Sequence, residues 1–139
     1  MIYGLGFMLI IARVVYEVML AHSRLLHPEE VCGFLAGRDN RAAHVYIVEN
    51  VLHRPDAFRM NPRQQIMTML DAEEKNQPLL AVYHSHPAGP PHPSPTDVAQ
   101  AYYPELLQVV ISLVDTARPV TAAFSIVDRR IAPASFIIE

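Results

Sequence analysis

Apolar residues recur along this chain at two spacings, one of two residues and one near 3.6, and the changes between them mark out the elements. Phe7 to Ala12 is a continuous apolar run and predicts a first strand. From Arg13 to Leu26, Val14, Val15, Met19, Leu20, Leu25 and Leu26 return at helical spacing, which predicts an amphipathic helix. It stops at His27-Pro28, because the residue before a proline avoids the helical region. Glu30 to Gly37 is a short apolar stretch closed by Arg38-Asp39-Asn40, expected to be a buried strand and its turn. Ala43 to Leu52 alternates and is expected to pair antiparallel with it. Pro55 interrupts, and Ala57 to Met60 is expected to add a short strand.

Asn61-Pro62 has the chemistry of a helix start, asparagine as cap and proline at the first helical position. Ile66, Met67, Met69 and Leu70 are expected to form the core face of that helix, which ends by Asn76 to Pro78. Leu79 to His86 is rich in strand formers and should be a central strand. A proline-dense loop leads to a short helix from about Pro95, and strands are expected at Leu106 to Val114, Val120 to Asp128 and Ile131 to Ile138. Strands mixed with two or three helices in this order predict an α+β domain with helices packed on a sheet.

At 139 residues the chain is expected to be one domain, residues 1–139, and with 51% apolar and 18% charged residues it can bury a core. Net charge is −3 and there is no basic run, which argues against a nucleic-acid partner. A single cysteine excludes an intrachain disulfide and points to a reducing cytoplasm. Met1 to Ala12 is almost wholly apolar, but it falls short of the ~20 residues of a membrane helix. No positive charge precedes it, as a signal peptide would require. It is expected to be a strand with an apolar leader and no membrane partner. The role of Met1 to Phe7 stays open between a docked edge and an oligomer contact, so a homodimer is left open too.

The stretch that carries chemistry is His84-Ser85-His86-Pro87, followed at a distance by Ser94-Pro95-Thr96-Asp97. Side chains at i and i+2 of a strand share a face, so His84 and His86 can converge on one point. Neutral imidazole nitrogens suit zinc, and a catalytic zinc keeps three protein ligands and one open position. Asp97 is the nearest downstream acid that could complete such a set. Read alone, the two histidines fit polar caps of a strand end better than metal ligands. Ser94-Pro95-Thr96-Asp97 alone is a helix start. The two readings are compatible, because a capped first turn would also aim Asp97 at the strand end. Five of the twelve prolines, Pro87, Pro90, Pro91, Pro93 and Pro95, stiffen the segment between them and lower the entropy lost on ordering it.

In its pattern H-x-H-P-x6-S-x2-D, formed by His84, His86, Pro87, Ser94 and Asp97, the chain resembles the JAMM (MPN+) zinc metalloproteases. A second signature of that family, a glutamate ahead of a glycine-containing strand, is matched by Glu29-Glu30-Val31-Cys32-Gly33-Phe34-Leu35-Ala36-Gly37. The resemblance runs from about Leu9 to the C-terminus. It implies a curved mixed or antiparallel sheet between helices, of cytidine-deaminase-like topology, and zinc-dependent hydrolysis of peptide or isopeptide bonds. It implies that His84, His86 and Asp97 are the zinc ligands, that Glu30 is the general acid/base, and that Ser94 helps to stabilise the oxyanion. Glu29 is the rival to Glu30 and reads better as a solvated charge. Cys32 reads as a buried small residue, and His92 as a loop surface position.

Only ten residues separate His86 from Asp97, which leaves no room for the large insertions of eukaryotic members. The compact form resembles the prokaryotic branch, whose substrates are small ubiquitin-like or sulfur-carrier proteins with a diglycine tail. The leaving group would be cysteine in one subgroup and a protein lysine in another. Two other readings remain at this level: a non-catalytic MPN scaffold that binds partner proteins, and a RadC-like protein associated with nucleic acid, which the net charge disfavours.

Overall fold

The computed structural model describes residues 8–139, so the leader Met1 to Phe7 lies outside the described residues. Its elements run β1 (Met8–Ile11), α1 (Arg13–Leu25), β2 (Cys32–Ala36), β3 (Arg41–Ala42), β4 (His44–Val48), α2 (Pro62–Glu74), β5 (Leu79–His86), α3 (Pro95–Ala99), β6 (Leu107–Ser112), β7 (Val120–Val127) and β8 (Arg130–Ile138). The strands form one mixed sheet of eight in the order β3-β1-β8-β7-β6-β5-β2-β4. β5 lies inside it, antiparallel to β2 and parallel to β6. In place of the strand expected at Ala57 to Met60 there is a single bridge between Asn50 and Met60.

Alternation along β2 and β5 sorts the core into two halves. Val31, Leu35, Ala81 and Tyr83 pack with Val15 and Met19 of α1. Cys32, Phe34 and Val82 face the other way and pack with Phe58, Met60 and Met69, on the α2 side. His84 and His86 have the same parity as Val82, so they stand on the α2 side of the sheet.

Both long helices depart from expectation in which residues they bury. α1 buries Val15, Met19, His22 and Ser23, while Val14 and Leu25 point outward. α2 buries Thr68 and Ala72, while Ile66, Met67 and Leu70 are each more than half exposed. Small residues let α2 lie close to the sheet beside the partly buried Met69, and Ile66, Met67 and Leu70 are left on its outer side. Its start is as expected, with the Asn61 side chain accepting from the Arg63 and Gln64 N–H groups.

Gly33 is required by packing. A β-carbon there would overlap the Tyr46 carbonyl oxygen across the β2–β4 pair and the Tyr83 ring laid over it. One of those obstacles is backbone and cannot swing away. Gly33→Ala is therefore expected to destabilise the fold by about 3 kcal/mol or more, at the upper end of overpacking costs. A melting curve within 2 °C of the parent, on the order of half a kcal/mol for a domain of this size, would contradict this packing account.

Candidate active site

The C-terminal half of β5 delivers two imidazoles to one point. His84 and His86 are 1% and 7% exposed, and their Nε2 atoms are 3.1 Å apart. Asp97 Oδ2 closes the triangle at 3.1 Å from His84 Nε2 and 3.0 Å from His86 Nε2. α3 sets this oxygen through its capping box. The Ser94 N–H donates to Asp97 Oδ2 at 2.8 Å, and the Asp97 N–H donates to Ser94 Oγ at 3.1 Å. The same four residues thus start the helix and aim the acid. Ser94 Oγ is used as an acceptor in the cap, so its own hydroxyl proton remains available to a second partner.

The protonation pattern suits a cation. Carbonyl oxygens only accept, so His86 Nδ1–H must donate to the Pro90 oxygen at 2.8 Å; in the neutral ring this leaves Nε2 a lone pair for a cation, and in the protonated ring Nε2–H donates to Asp97. Pro90 belongs to the proline-rich loop, so the stiff connector also fixes the tautomer. Burial opposes the charge on Asp97, but its hydrogen bonds with His84 and His86 outweigh burial and hold the carboxyl far below the usual range. Burial likewise lowers the His86 pKa, and the Asp97 and Pro90 hydrogen bonds more than reverse it. His84 Nδ1 is buried with no hydrogen-bond partner, so neither tautomer of His84 satisfies both of its nitrogens without a further group. Among the described residues, this trio is the one cluster of histidine, cysteine and acidic groups close enough to share a metal ion. Ligand atoms around a small tetrahedral metal lie about 3.3–3.6 Å apart, a few tenths of an ångström wider than this triangle. The donor set fits such an ion.

Glu30 lies just before β2 on the strand adjoining β5. The β2–β5 register pairs Cys32 with His84, and Ser85 N–H donates to the Val31 carbonyl, so the next position opposes Glu30 to His86. It is 4% exposed, and its Oε1 has no hydrogen-bond partner. Burial pushes its pKa up to about 8, with His86 pulling it down and Asp97 and Asp56 pushing it up. Glu29, the rival, is partly exposed and meets His53 at 3.4 Å. Cys32 is fully buried with its thiol donating to the Val48 carbonyl, and burial raises its pKa to about 12. His92 is exposed and sits edge-on to Phe124.

Three residues of the site were not singled out from the sequence. Ser85, between the two histidines, points to the opposite face, where its Oγ accepts from the Val31 N–H at 2.9 Å and ties β5 to the Glu30 segment. Phe58 lays its ring against His84 with centroids 4.8 Å apart. Asn50 holds the backbone on both sides of that contact. Ser85 was legible from strand alternation, whereas the other two depend on a loop whose path no local pattern dictates. Beside the trio runs a cleft of about 130 Å³ lined by Phe58, Gln65, Tyr102 and Tyr103, with His84 and Asp97 on its wall.

Residues 12–131 match the family model described as prokaryotic homologs of the JAB domain. The chain is similar to the CysO-cysteine peptidase of Mycobacterium tuberculosis, with 32% identity over 128 residues, 90% of this chain and 87% of the relative. It is 41% identical over 69 residues, about half of each chain, to a protein of Pyrococcus furiosus called a desampylase. The crystal structure of AF2198, a JAB1/MPN domain protein from Archaeoglobus fulgidus, superposes with a TM-score of 0.60 over 95% of this chain and 99% of that one. At 14% identity that likeness concerns the fold alone. Among the described residues no helix is long and apolar enough to cross a membrane.

Proposed function

Because this chain belongs to the prokaryotic homologs of the JAB domain and is a JAMM-type peptidase, we propose that it is a zinc enzyme. On this reading it hydrolyses the bond after the C-terminal diglycine of a small ubiquitin-like or sulfur-carrier protein in the cytoplasm. The observation that carries the reading is the meeting of His84 Nε2, His86 Nε2 and Asp97 Oδ2 within 3.1 Å, with Glu30 opposite His86 on the adjoining segment, buried and with its Oε1 unpartnered. His84, His86 and Asp97 would hold the metal. Two nitrogens and one oxygen leave a tetrahedral ion one open position, as catalytic zinc sites do.

Bound there, zinc supplies Lewis acidity and a water acidified from pKa 15.7 to about 7. Glu30 would accept a proton from the attacking water at its carboxylate and return it to the leaving amine, for which a carboxyl pKa brought near the working pH is the efficient choice. In the metal-free protein it stands at about 8, and a dication nearby would draw it lower. The Ser94 hydroxyl, free to donate beyond its capping role, hydrogen-bonds the carbonyl oxygen as charge develops there. Ser94→Ala is expected to lower kcat by about 10²- to 10³-fold, the usual cost of one oxyanion donor. It should also loosen α3 by about 1 kcal/mol through the lost cap. Steady-state kinetics on Ser94→Ala with full zinc occupancy checks the first, and an unchanged kcat would remove Ser94 from the reaction.

The cleft supports a thin substrate segment. At about 130 Å³ it lies well below the roughly 300 Å³ of small-molecule pockets, and its aromatic walls accept an extended chain with little side-chain bulk, as two glycines would be. The leaving group is cysteine on the reading favoured by the mycobacterial relative, whose name states that substrate and which matches 90% of this chain. The test is mass spectrometry on zinc-loaded protein incubated with a diglycine-tailed carrier bearing either a C-terminal cysteine or a lysine isopeptide. Release of the carrier ending in its second glycine is the expected product. No cleavage in either arm with zinc bound would leave the non-catalytic scaffold.

A further inference from the structure

We infer that Asn50 is a positioning residue, a single buried side chain that locks the proposed base and one proposed metal ligand into a common frame. The inference rests on the metallopeptidase reading above. Asn50 is 6% exposed and uses its full hydrogen-bonding capacity. Its Nδ2 donates to the Glu30 carbonyl at 3.0 Å and to the Ala57 carbonyl at 3.0 Å. Its Oδ1 accepts from the Leu52 N–H at 3.0 Å and the Arg59 N–H at 3.1 Å.

Two of those partners, Ala57 and Arg59, flank Phe58, whose ring lies against His84. A third is the peptide of Glu30 itself. The same loop takes the residue's other backbone group, since the Glu30 N–H donates to the Arg54 carbonyl at 2.8 Å. Glu30 lies before the first residue of β2, so it lacks the ladder that holds its neighbours, and its backbone is placed by residues 50–54. The ring nitrogens of His84 are oriented by aromatic contact and not by a hydrogen bond to Nδ1. Asn50 thereby supports His84 indirectly, through the backbone on either side of Phe58, and Glu30 directly through its carbonyl.

Asn50→Asp tests this selectively. An aspartate keeps Oδ1 for the Leu52 and Arg59 N–H groups, so the loop turn is retained, but it sets an oxygen against the Glu30 and Ala57 carbonyls. The added negative charge would on its own tighten binding of a cation, so weaker zinc binding can only come from lost positioning. The expected result is a protein that melts cooperatively, with zinc affinity by chelator competition reduced about 10- to 100-fold, the range for outer-partner losses. On the diglycine carrier, kcat should fall at least tenfold while KM stays within about twofold.

A second measurement needs no variant. In the parent protein, amide hydrogen exchange at Leu52 and Arg59 should slow at least tenfold on zinc loading if the loop and the metal site share one frame. Parent-like zinc affinity in folded Asn50→Asp, or exchange at Leu52 and Arg59 indifferent to bound zinc, would overturn the inference and leave the enzyme reading intact. A parent protein that binds no zinc would overturn both.

Discussion

Glu30→Gln should lower kcat by two to four orders of magnitude, the span a well-placed acid/base contributes, while the protein keeps its zinc. The amide has the shape of the acid but can neither accept the water's proton nor return it to the leaving group. None of the three proposed ligand atoms is altered, so zinc content should match the parent. The same change should act on stability in the opposite direction. In the metal-free protein burial holds the Glu30 pKa at about 8, against 4.5 for the unperturbed group. The folded form therefore keeps a proton that the unfolded chain releases, and stability falls as pH rises from about 4.5 to 8. Glutamine removes that slope. Between pH 6 and 9 the melting temperature of metal-free Glu30→Gln should gain on the parent by several degrees, as one to two kcal/mol implies for a domain of this size. Full turnover in the variant would remove Glu30 as the base, and parallel melting curves across that range would contradict its burial-raised pKa.

His86→Ala is expected to lose zinc and turnover together. It deletes a ligand atom outright, so the drop in affinity should exceed the 10- to 100-fold typical of outer-partner losses, and cleavage should fall to background. The substitution also frees the Pro90 carbonyl, which takes the His86 Nδ1–H at 2.8 Å and anchors the proline-rich loop against β5. Some loss of stability follows from that broken link, so zinc content has to be measured below the variant's own melting temperature. One equivalent of tightly held zinc in folded His86→Ala would mean that the ion binds elsewhere. The contrast with Glu30→Gln separates holding the metal from using it.

Much of this site was legible because its geometry is local. His84 and His86 share a strand face by simple alternation, and Ser94 to Asp97 is a helix start whose capping chemistry also fixes the acid. The strands along the second half of the chain follow their apolar runs closely. What was not legible depends on distance along the chain. Asn50 reaches back twenty residues to Glu30, and nothing near it in sequence announces that contact. The helix faces were misjudged for a related reason. In α2 Met69 packs on the core as expected, but the buried positions are Thr68 and Ala72, which are small, whereas hydrophobicity alone points to the outward-facing Ile66, Met67 and Leu70. The short β3, which pairs with β1, left no trace in the pattern, since two residues are too few to establish a period.

A crystal structure of the zinc-loaded protein, with anomalous scattering recorded at the zinc edge, puts the proposed centre to the test in one experiment. The expected map holds one strong peak, about 2.0–2.2 Å from His84 Nε2, His86 Nε2 and an Asp97 carboxylate oxygen, with the Glu30 carboxyl facing the open coordination position. A peak bound by other residues, or Glu30 turned away from the ion, would contradict it.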